Sequence, residues 1–276
     1  MNGTIIRIIS NLYSVEAEGK VYECRARGKF YHDKLTPLVG DKVVIDADNN
    51  YIMELKERKN SLPRPNIANV DMALIISSVK EPNLDLNLLD KLLSIVIYND
   101  IKPVICFTKI DLLDSKDKKE LDKIINYYNG IGITTLTNQE LKKLTKVMND
   151  NTVVLAGQSG AGKSTLLNLL DETLNLETKP ISKALGRGVH TTRHVELFKY
   201  KGALIADTPG FSALDLDMLS PEELRDTFLE FDLDCEFRDC MHKEEINCMV
   251  KEYVKEGKIL NSRYQNYLKF GRWNIC

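Results

Sequence analysis

Two hydrophobic patterns divide the chain. Up to about residue 65, apolar and polar positions alternate over short runs. Val21-Tyr22-Glu23-Cys24-Arg25-Ala26-Arg27 alternates, and Asp41-Lys42-Val43-Val44-Ile45-Asp46 follows a turn signal at Val39-Gly40. With turns expected at Gly3, Gly19, Gly28 and Gly40, this predicts a five-stranded all-β barrel of the OB type. Ser61-Leu62-Pro63-Arg64-Pro65-Asn66 reads as a proline-bearing connector. Beyond it the apolar runs become continuous: Val70 to Ser78, Lys102 to Phe107, Thr152 to Ala156 and Ala203 to Ala206. Between them lie helical patterns at Asn87 to Asn99, Lys118 to Tyr128, Gln139 to Met148 and Leu166 to Leu170. Strands apolar on both faces, alternating with helices, predict a parallel sheet covered on both sides. The expected fold is multidomain, with an all-β barrel at 1–65 and an α/β domain at 66–219.

Charge narrows the function only slightly. The formal net charge of −2 advertises no global affinity for nucleic acid, so any RNA contact must come from local patches. Lys20, Tyr22, Arg25, Arg27, Lys29, Phe30 and Tyr31 could form one such face on the barrel, or simply its solvated surface. No apolar run approaches the ~20 residues that span a bilayer. The segment from Met1 to Arg7 lacks the apolar core and cleavage site of a signal peptide, so a cytoplasmic protein is expected.

Three motifs carry chemistry. Gly157-Gln158-Ser159-Gly160-Ala161-Gly162-Lys163-Ser164-Thr165 fits the phosphate-binding P-loop, with a strand before it and a helix after it. A glycine loop feeding a helix N-terminus aims backbone N–H groups at an anion. Lys163 is then expected on the outer phosphates and the Ser164 hydroxyl on Mg²⁺. Thr108-Lys109-Ile110-Asp111 closes an earlier strand, where α/β folds place ligand contacts. A carboxylate there can accept two parallel hydrogen bonds from guanine N1–H and its 2-amino group, which adenine cannot offer. Asp207-Thr208-Pro209-Gly210 ends the last strand; Asp207 could hold Mg²⁺ through water, and the Gly210 N–H could meet a terminal phosphate. Before it, Gly186-Arg187-Gly188-Val189-His190-Thr191-Thr192-Arg193 is a glycine-rich switch candidate whose threonines could complete the Mg²⁺ shell. In ordinary small GTPases the base-reading loop follows the other two motifs. Here it comes first, which implies a circular permutation.

Cys235, Cys240, His242 and Cys248 offer three thiolates and an imidazole within fourteen residues, a closed set suited to one structural zinc ion. Downstream, Asn261 to Trp273 reads as a helix carrying Arg263, Tyr264, Tyr267, Lys269 and Arg272. It is either an RNA-facing element or a packed terminal helix, the first being favoured.

Taken in order, T-K-x-D, G-x-S-G-x-G-K-S-T, G-R-G-x-H-T-T-R, D-T-P-G-F and C-x4-C-x-H-x5-C resemble the RsgA family, also called YjeQ or YloQ. The resemblance implies an OB-fold, a circularly permuted P-loop GTPase domain and a mainly helical zinc-binding domain at 220–276. It implies GTP or GDP, Mg²⁺ and one Zn²⁺ as cofactors, and the 30S ribosomal subunit with its 16S rRNA as partner. It further implies ribosome-stimulated hydrolysis of GTP; a monomer away from membranes is expected. Two departures stand out. Thr108 replaces the usual Asn, which is expected to weaken one loop-fixing bond. Phe211 stands where many GTPases place a water-orienting glutamine, so intrinsic turnover should be slow, with His190 or a ribosomal group supplying the missing function. The guanine O6 contact is expected near Thr135 to Asn138. The competing readings are a P-loop ATPase or small-molecule kinase, and an RNA-binding module with a merely structural nucleotide.

Overall fold

The computed structural model describes residues 1–27, 30, 36–63, 66–170, 195–206 and 215–271. Strands β1 (Asn2–Ile9), β2 (Leu12–Ala17), β3 (Lys20–Ala26), β4 (Lys42–Asp46) and β5 (Tyr51–Leu55) close a barrel in the order β1-β2-β3-β5-β4. Only β3 and β5 pair in parallel; the other neighbours are antiparallel. This is the five-stranded closure the alternation predicts, and closure removes the exposed strand edges. Inward positions with period two, such as Tyr13, Val15 and Ala17 on β2 and Val43 and Ile45 on β4, fill the interior.

Two expectations about the barrel are corrected. Gly3 is not a turn: it lies in β1, where a Cβ would sit 2.5 Å from Val15 Cγ1, so packing across the barrel demands glycine. Phe30 is buried with the barrel core, and Tyr22 packs partly against it, so neither stands out as a stacking platform. Lys20, Arg25 and Arg27 are exposed, whereas Lys29 and Tyr31 lie outside the described residues. The described residues on either side of the connector's centre form β6 (Ser61–Pro63) and β7 (Asn66–Ala68), which pair antiparallel, while Arg64 and Pro65 lie outside the described residues.

The α/β part contains one six-stranded sheet in the order β10-β9-β8-β11-β13-β12, from β8 (Met72–Ser78), β9 (Lys102–Thr108), β10 (Thr134–Thr137), β11 (Thr152–Ala156), β12 (Leu197–Tyr200) and β13 (Ala203–Ala206). β10 runs parallel to β9 and β11 to β13. The expectation of a wholly parallel sheet fails at the edge, where β12 pairs antiparallel with β13 across a Lys201-Gly202 turn with both residues at positive φ. Every residue of β11 is buried, as a doubly covered strand requires.

The helices start where caps dictate. Asp85 accepts from the Leu88 amide at the head of α1 (Leu86–Tyr98). Asp114 accepts from the Lys116 and Asp117 amides at the head of α2 (Ser115–Gly130), which therefore begins three residues before its apolar pattern does. α3 (Leu141–Met148) and α4 (Lys163–Leu170) complete the set, and no described helix is long and apolar enough to cross a membrane. By contact, the described residues within Met1–Ala73, Leu141–Leu155 and Ser164–Phe211 form one compact unit. Those within Leu74–Glu140, Ala156–Lys163 and Ser212–Cys276 form a second.

Within that second unit the C-terminal residues fold as α5 (Pro221–Asp226), α6 (Met249–Lys255) and α7 (Asn261–Phe270). Ser220 and Glu223 close α5 with a reciprocal capping box. The expectation that the last helix faces RNA fails for Arg263, Tyr264 and Tyr267, whereas Lys269 is exposed. Arg263 and Tyr267 are 0 % exposed and Tyr264 9 %, while Arg272 lies outside the described residues. Arg263 instead lies between two carboxylates: its Nε and one terminal nitrogen donate to Glu230 at 2.8 and 3.1 Å, and the other donates to Asp90 of α1 at 2.9 Å. Tyr128 and Tyr127 of α2 donate their hydroxyls to Asp90 and Glu230 at 2.6 and 2.7 Å, and Asn266 donates to Asp90 at 2.6 Å. Burial of this many charges is tolerable only with the partners supplied here.

Candidate nucleotide site and metal centre

The P-loop leaves β11 at Gly157 and enters α4 at Lys163. Gly157, Gly160 and Gly162 have φ of 131°, 77° and 89°, a backbone that side-chain-bearing residues resist. At Gly157 space also forbids a side chain, since a Cβ would lie 2.1 Å from the Ile76 carbonyl oxygen of β8. Lys163 Nζ donates to the carbonyls of Gly157 and Gln158, both at 2.8 Å, so the ammonium is held on the loop. Ser159 and Thr165 are exposed, and Ser164 follows Lys163 in the first turn of α4. Loop amides, an ammonium and a helix-terminal hydroxyl are the donor set that a polyphosphate with Mg²⁺ requires, so these residues fit that group.

The structure brings the base-reading candidate to this loop. Thr108 is 3 % exposed, and its Oγ1 donates to the Ala161 carbonyl at 2.6 Å. Thr108 thus ties the two loops through one short hydrogen bond. Lys109 takes a left-handed conformation (φ 60°) at the head of a 3-10 turn, Ile110–Leu112, that leaves Asp111 exposed to a ligand. Lys109 Nζ contacts the Glu81 carbonyl. The segment between β8 and α1 was missed by sequence reasoning, although ligand contacts gather at the carboxyl ends of such strands. Thr135 is buried within β10, whereas Asn138 follows the strand with its side-chain oxygen buried and without a hydrogen bond. His190, Thr191, Thr192, Asp207, Gly210 and Phe211 lie outside the described residues.

Cys235, Cys240, His242 and Cys248 converge, with one ligand atom of each lying within 4.8 Å of all the others. Tetrahedral zinc with its sulfurs ~2.3 Å away sets them roughly 3.8 Å apart, so the set could hold zinc with slight contraction. His242 Nδ1 is 3.3 Å from Cys248 Sγ and 3.7 Å from Cys235 Sγ. Burial lowers the His242 pKa, favouring the neutral ring that ligates metal, and burial chiefly pushes the Cys240 thiol up to about 12. A divalent cation would reverse the thiol shift. The loop is braced from behind: Tyr264 and Tyr267 donate to the His242 and Met241 carbonyls at 2.8 and 2.7 Å. Glu245 accepts from the Met241 and Lys243 amides at 2.7 and 2.6 Å.

Comparison with known proteins agrees from end to end. The RsgA N-terminal domain model matches residues 2–52 and the RsgA GTPase model residues 55–217. The small ribosomal subunit biogenesis GTPase RsgA of Enterococcus faecalis is 44 % identical, covering 98 % of this chain and 94 % of its own. Its namesake in a Geobacillus species is 46 % identical over 97 % and 95 %. Among solved structures, YloQ, described as a circularly permuted GTPase, shares 38 % identity at a TM-score of 0.83 over 98 % and 93 % of the two chains. YjeQ from Thermotoga maritima shares 33 % at 0.84 over 97 % and 96 %. The barrel and the permuted GTPase domain thus match a known enzyme type from one end of the chain to the other, and this chain is a member of the RsgA family of circularly permuted GTPases.

Proposed function

We propose that the chain binds GTP with Mg²⁺, docks on the small (30S) ribosomal subunit during late maturation and hydrolyses GTP to GDP and phosphate in response. The hydrogen bond from Thr108 to Ala161 carries this reading, because it joins a guanine-selective carboxylate loop to a phosphate loop. Asp111 would accept from the guanine edge, and Lys109 would lie along the base. The loop amides from Gly157 to Thr165 would bind the phosphates, with Lys163 balancing their charge as the bridging oxygen departs. Ser164 and, with it, Asp207 would hold Mg²⁺, whose chemistry is to neutralise charge on the transferred phosphoryl group. Gly210, Thr191, Thr192 and His190 are assigned to the switch around the terminal phosphate.

In this reading the modules are 1–65, 66–219 and 220–276, the four metal ligands hold one structural zinc, and the protein works as a cytoplasmic monomer in contact with 16S rRNA. The names of its relatives, small ribosomal subunit biogenesis GTPases, support the ribosomal assignment. The test is GTP hydrolysis with and without purified 30S subunits. Stimulation well above the sum of the separate rates is expected. Equal rates, or equal affinity for ATP and GTP, would overturn the reading.

A further inference from the structure

The lobe around the metal centre differs in charge from the rest of the chain. Residues 215–245 contain 12 Asp and Glu against 3 Lys and Arg, a net −9; with −2 for the whole chain, the remaining residues carry +7. Arg263 and Lys91 reach in from outside the segment to pair with Glu230 and Asp215, which still leaves a surplus of −7. Such a surface repels RNA phosphates, whatever the rest of the molecule does.

On this lobe lies a groove of about 830 Å³ whose lining includes Glu222, Phe237, Asp239, Glu244 and Ile246, with Lys243 as its one cation. Its apolar members are unusually open: Ile246 is 76 % exposed and Phe237 49 %. Large apolar side chains held out in water beside a groove mark a contact surface. The acids divide by role. Glu245 is committed to the Met241 and Lys243 amides of its own loop. The side chains of Glu222, Asp239 and Glu244 are exposed and make no hydrogen bond or ion pair among the described residues. The apolar centre calls for an apolar side chain, and the acidic rim calls for cations around it.

We propose that this groove docks a lysine- and arginine-rich protein segment, which sets an apolar side chain against Phe237 and Ile246 while its cations meet Glu222, Asp239 and Glu244. The inference deepens the ribosomal reading by naming the chemistry of one partner surface, a basic protein rather than RNA. Its test needs no ribosome, so the two can fail separately.

The full-length, zinc-loaded chain is titrated against a fluorescent Lys/Arg-rich peptide carrying a Leu-Phe pair, the same peptide with that pair replaced by Ser, and a single-stranded RNA oligonucleotide. The Leu-Phe peptide should bind best, and its affinity should fall as salt is raised. Glu222→Lys combined with Glu244→Lys should weaken it at least about tenfold, near 1.4 kcal/mol. Ile246→Ser should bring it down to the level of the Ser peptide. Zinc content and ribosome-free GTP hydrolysis matching the parent chain certify that a variant is folded. If the double variant fails that check, Ile246→Ser, at a mostly exposed position, decides alone. Unchanged peptide affinity in a folded variant would overturn the proposal. So would RNA binding that these same changes weaken, or self-association of the chain that Ile246→Ser abolishes.

Discussion

A single hydroxyl ties together the two loops of the candidate nucleotide site. Thr108 spans from the end of β9 to the P-loop carbonyl of Ala161, and both groups are shielded from water. Thr108→Val keeps the volume but leaves that carbonyl without its donor, at a cost of ~1–3 kcal/mol. The expected outcome is a loss of GTP affinity of about tenfold, read by titration, which Thr108→Ser restores. Asp111→Asn should lower GTP affinity by at least about tenfold and favour xanthosine triphosphate, whose 2-oxo group accepts from an amide. Unchanged preference for GTP would place the base elsewhere. The sequence disclosed these residues because each motif is local: the glycine loop and the carboxylate turn each follow directly on their own strand, although about fifty positions separate the two. The groups that support them, the carbonyls of Ile76 and Glu81, are backbone atoms to which side-chain identity gives no clue.

Among the elements, the last helix shows what a one-dimensional pattern conceals. Arg263, Tyr264 and Tyr267 recur at helical spacing whether the face meets water, RNA or protein. Only the distant positions of Asp90 and Glu230 determine the outcome. Strand β10 leaves little trace for another reason: Thr134-Thr135-Leu136-Thr137 is four residues long and carries one large apolar side chain. The buried arginine carries two predictions. Arg263→Met strands two carboxylates and should destabilise the fold by ~3–5 kcal/mol, seen as a large fall in the unfolding midpoint. Burial opposes the Glu230 charge, but Arg263 outweighs it and holds the carboxyl below its ordinary 4.5. Its stabilisation is therefore full above about 4.5 and is lost as pH falls through the depressed value. Glu230→Gln should flatten that part of the acid unfolding profile, measured by circular dichroism.

For the whole molecule, aromatic packing braces the loop of candidate metal ligands among the C-terminal residues. His242 and Met241 are tied to α7 through their carbonyls, so the ligand loop is anchored even before the thiolates bind. Elemental analysis should find about one zinc per chain. Chelation at neutral pH should lower the melting temperature and expose Tyr264 and Tyr267 to solvent, followed by tyrosine fluorescence. A chelated protein with unchanged melting would remove zinc from the architecture. The barrel, the permuted motif order and the four ligands were all legible beforehand, because each leaves a periodic or compositional trace.

The arginine between α1, the 3-10 turn Leu229–Phe231 and α7 has an evolutionary corollary. One cation answers two acids, the farther of them 173 positions away along the chain. A lone exchange at residue 90, 230 or 263 leaves a buried charge short of a partner. Replacing all three together by a neutral trio avoids that cost, so drift at this centre is expected to favour concerted change.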